Sequence, residues 1–165
     1  MKKIYWIGSI ALLILVILFT LAYQDYSKYN VSNQYNDAFK SSLYETIENK
    51  NTFTFNEVVS FEWDEMFVFE PYLTTEMMEK AAGAEWTTAN TWLGHIYQRT
   101  KSNHTPLLSD SFQKLVFLKE KKVVMDITLQ RDVDFLSLSK LSKEDNTVLK
   151  VDEADNRLVV NLAER

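Results

Sequence analysis

A chain of 165 residues with 46% apolar content, three glycines and two prolines has the composition of a folded protein, not of a disordered, collagenous or linker-like one. The net charge of −5 argues against nucleic acid as a partner, because phosphate binding requires a clustered basic surface. The absence of cysteine excludes disulfides, zinc–thiolate and iron–sulfur sites, a thiol nucleophile and a lipidated cysteine.

Residues 4–23 form an uncharged run of 20 residues. At ~1.5 Å per residue such a helix is ~30 Å long, the thickness of the hydrocarbon layer of a bilayer, and it satisfies its own backbone hydrogen bonds. Tyr5 and Trp6 stand at one end, Tyr23 and Tyr26 at the other, where interfacial aromatics concentrate. Lys2 and Lys3 precede the run. The positive-inside rule therefore predicts residues 1–3 as a cytoplasmic tail, residues 4–23 as a transmembrane helix and the remainder as extracytoplasmic: a single-pass protein of the cell membrane. Taking those two lysines from the net −5 leaves −7 beyond the run, which disfavours anionic lipid headgroups and anionic wall polymers as electrostatic ligands. The competing expectation is a cleaved signal sequence, with Thr20-Leu21-Ala22 as its best site. The run exceeds the ~7–15 apolar residues of a signal core, which favours retention. An exported domain without cysteine points to a bacterial envelope.

Residues 24–50 are read as a juxtamembrane segment followed by an amphipathic helix. Val31, Tyr35, Phe39, Leu43 and Ile47 recur every four residues, Ser32 or Asn33 can cap the start, and Asn49-Lys50-Asn51 marks the end. The expected role is packing on the domain's own sheet; a stalk helix is the alternative, and a coiled coil is disfavoured by the lack of heptads. From residue 51 to 165 strand signals dominate. Phe61, Trp63, Phe67 and Phe69 share one parity, with a bend expected at Asp64-Glu65 and termination at Pro71. Thr74 or Thr75 caps a short helix with Leu73, Met77 and Ala81 inward and Gly83 as its stop. A strand is expected over residues 91–98.

Residues 112–118 and 122–129 read as a hairpin around Lys119-Glu120-Lys121, with Val123, Met125, Ile127 and Leu129 on one apolar face. A second hairpin joins residues 147–151 to 157–162, with Leu158, Val160 and Leu162 inward. The sum is an α+β fold: an antiparallel sheet of about five or six strands, one or two helices on one face, preceded by the transmembrane helix.

Two segments carry a resemblance. The stretch Phe61-Glu62-Trp63-Asp64-Glu65-Met66-Phe67-Val68-Phe69-Glu70-Pro71-Tyr72 and the run Leu115-Val116-Phe117-Leu118-Lys119-Glu120-Lys121-Lys122-Val123-Val124 together resemble an uncharacterised family of small membrane-anchored or lipidated envelope proteins of Gram-positive bacteria. The resemblance covers roughly residues 61–134. Where this chain has Glu120-Lys121, relatives tend to have Asn-Gly. The resemblance implies an envelope location and an α+β fold, and it implies no activity and no site residues.

No catalytic, cofactor-binding or metal-binding residue is assigned from the sequence, and no cofactor is expected. Glu62, Asp64, Glu65 and Glu70 form an acidic cluster that could supply the carboxylates of a glycosidase, acting through Asp64 and Glu70 or through the histidines, or a calcium site, but a solvated strand face accounts for the cluster better. His95 and His104, the only histidines, lack the spacing of a metal pair and read as exposed or locally bonded. Lys114, Lys119, Lys121 and Lys122 read as a charged hairpin tip. Trp63, Tyr72, Trp86 and Trp92 are the candidate partner-binding residues, because aromatics dominate interface hot spots as well as cores. The expected function is a membrane-tethered extracytoplasmic interaction module that binds another envelope or exported protein. The alternatives are an envelope hydrolase acting on wall glycan and a small-ligand sensor or carrier with an aromatic pocket.

Overall fold

The computed structural model describes residues 2–100, 105–154 and 157–163, with the side chains of the first helix described from Ser9 onward. Helix α1 (Lys2–Tyr29) runs unbroken through the apolar run and six residues past it. Within it Ser9–Tyr29 is long and apolar enough to cross a membrane, and none of that apolar window is buried by the rest of the chain. After α1 come α2 (Asn36–Asn49), β1 (Thr52–Phe53), α3 (Phe55–Val58), β2 (Glu65–Phe69), α4 (Thr75–Ala82) and α5 (Trp92–Thr100). Strands β3 (Phe112–Lys119), β4 (Lys122–Gln130), β5 (Val133–Asp134), β6 (Lys140–Ser142), β7 (Leu149–Ala154) and β8 (Arg157–Leu162) complete the order.

The fold is α+β, and the strands divide between two four-stranded sheets, β4-β3-β2-β6 and β1-β7-β8-β5. The first is antiparallel throughout; in the second, β5 pairs with β8 in parallel. The β4-β3-β2-β6 sheet is covered on both faces, not on the single face that the sequence pattern predicts. Met66, Val68, Leu115, Phe117, Met125, Ile127 and Leu129 meet Phe39, Leu43 and Ile47 of α2 and Val160 of the second sheet in the main core. On the opposite face Phe67, Phe69, Val116 and Leu118 pack against Met78 and Ala82 of α4, Trp86 and Val31. Strands buried on both faces read as continuous apolar runs, which is why 66–69 and 115–118 show no polar alternation. Helix α2 therefore packs as part of the same core as the strands beyond residue 51.

Local chemistry explains where elements start and stop. The Thr74 hydroxyl accepts a hydrogen bond from the Met77 amide, and Gly83 closes α4 at φ +65, a conformation glycine adopts without a Cβ penalty. The helix turns its Met78–Ala82 side inward and leaves Met77 exposed, the reverse of the expected Met77/Ala81 face. The bend at Asp64-Glu65 is sharp enough to reverse parity: Phe61 and Trp63 serve the main core, Phe67 and Phe69 the opposite face. In the β3–β4 hairpin the register slips so that Phe117 faces Met125 while Leu118 faces Val123. The slip leaves Val124 against the main core and turns Val123 to the other side, so Val123 does not share the face of Met125. Residues 92–100 are helical, not extended. Thr91 Oγ1 accepts the Gly94 amide at 3.1 Å, and Trp92, His95 and Arg99 repeat at helical spacing against α1. In the last hairpin Val160 is buried, whereas Leu162 is exposed.

Candidate functional site at the junction of α1 and the domain

The end of α1 docks on the fold through three kinds of contact. The backbone of residues 29–31 forms a bridge with Thr87: the Thr87 amide donates to the Tyr29 carbonyl at 2.8 Å and the Val31 amide donates to the Thr87 carbonyl at 3.0 Å. The Tyr26 hydroxyl donates to the Ala89 carbonyl at 3.1 Å. His95, 1% exposed, meets the Asp25 carboxylate through Nε2 at 2.9 Å. Rings complete the junction: Phe19 lies edge-on to Trp92 at 5.1 Å, Tyr26 and Tyr29 flank His95, and the Arg99 guanidinium sits 5.0 Å from the centre of the Tyr29 ring. Since α1 is continuous across these contacts, a position along it fixes the position of α5.

Beside this junction a cleft of about 210 Å³ opens between α4, residues 86–87 and α5, with Glu79, Trp86, Thr87, His95, Gln98 and Arg99 among its walls. Its polar groups are largely paired with one another. Glu79 accepts the Trp86 amide at 3.2 Å, and burial pushes its carboxyl above the usual range. Arg99 donates to Glu85 at 2.8 Å, and Thr87 Oγ1 donates to the Gln98 amide oxygen at 2.9 Å. His95 Nδ1 is buried and has no hydrogen-bond partner among the described residues. A second, narrower recess shares Trp86, Thr87 and Gln98 with the first and reaches Lys114 and Asp126. There the Lys114 ammonium pairs with one Asp126 oxygen, and the Trp86 indole Nε1 donates to the other at 2.7 Å. The two charged side chains are 7% and 4% exposed.

The structure places the four aromatic candidates in different environments. Trp63 is buried in the main core and Trp86 in the opposite one, where its indole N–H caps the ion pair. Trp92 is half-buried against Phe19. Tyr72 is 55% exposed, with a left-handed φ of +66. They do not converge on one patch or line one pocket. Lys114 does not belong to the hairpin tip: it is buried five residues from the turn. Lys119 does belong there, and with the Glu120 amide it engages both oxygens of Asp64. These bonds hold the Asp64 carboxyl below its ordinary range, the Glu120 amide first and the Lys119 ammonium second. Asp64 and Glu70 lie beyond opposite ends of β2, six residues apart, which in extended chain is about 20 Å. His104 lies outside the described residues.

Sequence reading passes over Asp25, Glu79 and Asp126, and it misplaces Lys114 at the hairpin tip. Asp126 stands between the apolar Met125 and Ile127 and faces Val116 across the ladder, two positions along β3 from Lys114, a placement that only the register reveals. Among the described residues no group of three or more histidines and carboxylates is placed to hold a metal. What the junction defines is an α+β domain fastened to the end of an apolar helix of membrane-spanning length. Comparison with family models, with curated proteins and with solved structures found no match.

Proposed function

We propose that the protein is a single-pass, membrane-tethered extracytoplasmic module that acts by binding another protein of the cell envelope. The observation that carries this reading is the unbroken course of α1 from its apolar window into the Asp25–His95, Tyr26–Ala89 and Thr87 contacts. A flexible linker would let the domain wander; a docked helix holds it at one height and one attitude over the membrane, as suits a partner that is itself fixed in the envelope. Lys2 and Lys3 set the orientation with the domain outside. The resemblance to Gram-positive envelope proteins points the same way.

Binding is favoured over glycan hydrolysis by the separation of Asp64 and Glu70. Glycosidase carboxyls stand ~5–9.5 Å apart, and about 20 Å of strand lies between these two. Tyr72 is the aromatic candidate that remains open to water. It is an exposed ring on a strained backbone, held by its amide to the Leu107 carbonyl at 2.9 Å, and the residue that follows that carbonyl, Leu108, is 75% exposed.

The test combines topology and contact. A reporter fused at the C-terminus is expected to be active only outside the cytoplasm. A photo-crosslinking amino acid at position 72 is expected to give, in living cells, one discrete heavier adduct that Leu108→Glu abolishes. A reporter active only in the cytosol, or no adduct at 72 above the level at exposed position 162, overturns the proposal.

A further inference from the structure

We propose that the first turn of α5 is itself a membrane contact, with Trp92 and Leu93 inserted among lipid acyl chains beside α1. The inference rests on the membrane-anchor reading given above and adds a second point of attachment to it. The Phe19–Trp92 ring contact at 5.1 Å carries the argument. Phe19 lies four residues before the end of the uncharged run at Tyr23, which places it ~6 Å inside the hydrocarbon boundary when residues 4–23 span the bilayer. Trp92 cannot touch Phe19 without entering the same layer.

Helix α5 then rises alongside α1 in the same direction. Trp92 meets Phe19, His95 meets Asp25 and Tyr26, and Arg99 meets Tyr29. Ile96 and Tyr97, four and five residues above Trp92, reach the boundary and the headgroup layer, which is ~5–7 Å thick on each side. The side chains match these depths. Leu93, Ile96 and Tyr97 form one outward stripe at positions i, i+3 and i+4, with Leu93 61% and Tyr97 57% exposed in the protein alone. Aliphatic residues stand lowest and the tyrosine stands at headgroup level, where an amphipathic ring is favoured. The Thr91 hydroxyl accepts the Gly94 amide at 3.1 Å and so relieves one of the unpaired donors that a helix start would carry into lipid. The occupant is the apolar part of a bilayer, not its charge: the exported part is acidic, and the stripe is uncharged.

The protein has no cysteine, so single nitroxide labels can be placed in the full chain without further changes. Leu93→Cys, Tyr97→Cys, Leu21→Cys and Leu162→Cys are labelled in bilayer nanodiscs of neutral phosphatidylcholine. Collisions with oxygen, which partitions into lipid, and with a water-soluble nickel complex then report depth. The label at 93 is expected to favour oxygen several-fold, at a depth within about one helical turn, ~5 Å, of the label at 21. The label at 97 is expected ~6 Å nearer the surface, and that at 162 in water. An aqueous label at 93 with 21 in lipid overturns this inference and leaves the anchor intact. A label at 21 in water overturns both. A label at 93 shielded from both reagents overturns the lipid contact in favour of a covering protein.

Discussion

Replacing Lys114 by methionine leaves the Asp126 carboxylate buried with the Trp86 indole N–H as its one remaining partner among the described residues. The pair is nearly as inaccessible as the surrounding core, at 7% and 4% exposure, so solvent cannot take over the lost interaction. Breaking a buried pair from one side costs about 3–5 kcal/mol, because a charge is left without compensation. For a chain of this size, with ~2–4 °C of melting temperature per kcal/mol, the expected loss is roughly 6–20 °C. Asp126→Leu should cost about as much, since it strands the ammonium and removes the acceptor of Trp86 Nε1. The double variant Lys114→Met/Asp126→Leu buries no charge, and its remaining penalty is the orphaned indole N–H, about 1–3 kcal/mol. The two single costs should therefore be strongly non-additive, with a coupling of several kcal/mol. Near-ultraviolet circular dichroism of the full chain in detergent, followed through thermal unfolding, reads all four proteins. A Lys114→Met variant within about 1 kcal/mol of the parent, or a double variant as unstable as the two singles combined, would refute the view that these charges are desolvated and mutually dependent.

Three further outcomes are expected. Glu120 and Lys121 both have positive φ, 49 and 60, in a two-residue turn that suits Asn-Gly; Glu120→Asn with Lys121→Gly should stabilise the protein by about 1–2 kcal/mol, seen as a higher urea midpoint at unchanged slope. The Asp64 carboxyl is held below its ordinary 3.8 by the Glu120 amide and by Lys119, so its contribution is complete above that value and disappears as pH falls through the folded value; Asp64→Asn should flatten the melting-temperature profile below about pH 4 and lower the melting temperature at pH 7. Burial, and then the hydrogen bond to Asp132, pushes the Tyr44 phenol from 10.0 to about 12; the folded state keeps this proton longer than the unfolded chain, so stability should fall as pH rises from 10 to 12, and Tyr44→Phe should remove that part of the fall.

Features that depend on a few neighbouring residues were legible without a structure. An uncharged run of 20 residues dictates a helix of membrane length, Thr74 and Gly83 bracket α4, and Pro71 follows a strand that ends at Phe69. The Phe39–Leu43–Ile47 stripe likewise announces a helix with one buried side. Each signal is written by backbone sterics, a missing N–H or a repeat of 3.6 residues, and none requires a distant partner.

The rest was decided by what packs on what. A run such as Leu115-Val116-Phe117-Leu118 shows that a strand is buried but not what lies on either side, so the second sheet and the second covered face stayed hidden. Residues 92–100 carry aromatic and aliphatic side chains that suit a strand equally well; contact with Phe19, Asp25 and Tyr29, some 70 positions away, selects the helix. Lys114 and Asp126 look like ordinary surface charges until the β3–β4 register places them together beneath Trp86. Neighbouring residues alone dictate that one segment suits lipid and the rest folds as α+β, because hydrophobicity and local stereochemistry are local properties. That the apolar helix docks on α5, and which charges are buried, follows from the packing alone, because those energies depend on groups brought together from distant parts of the chain.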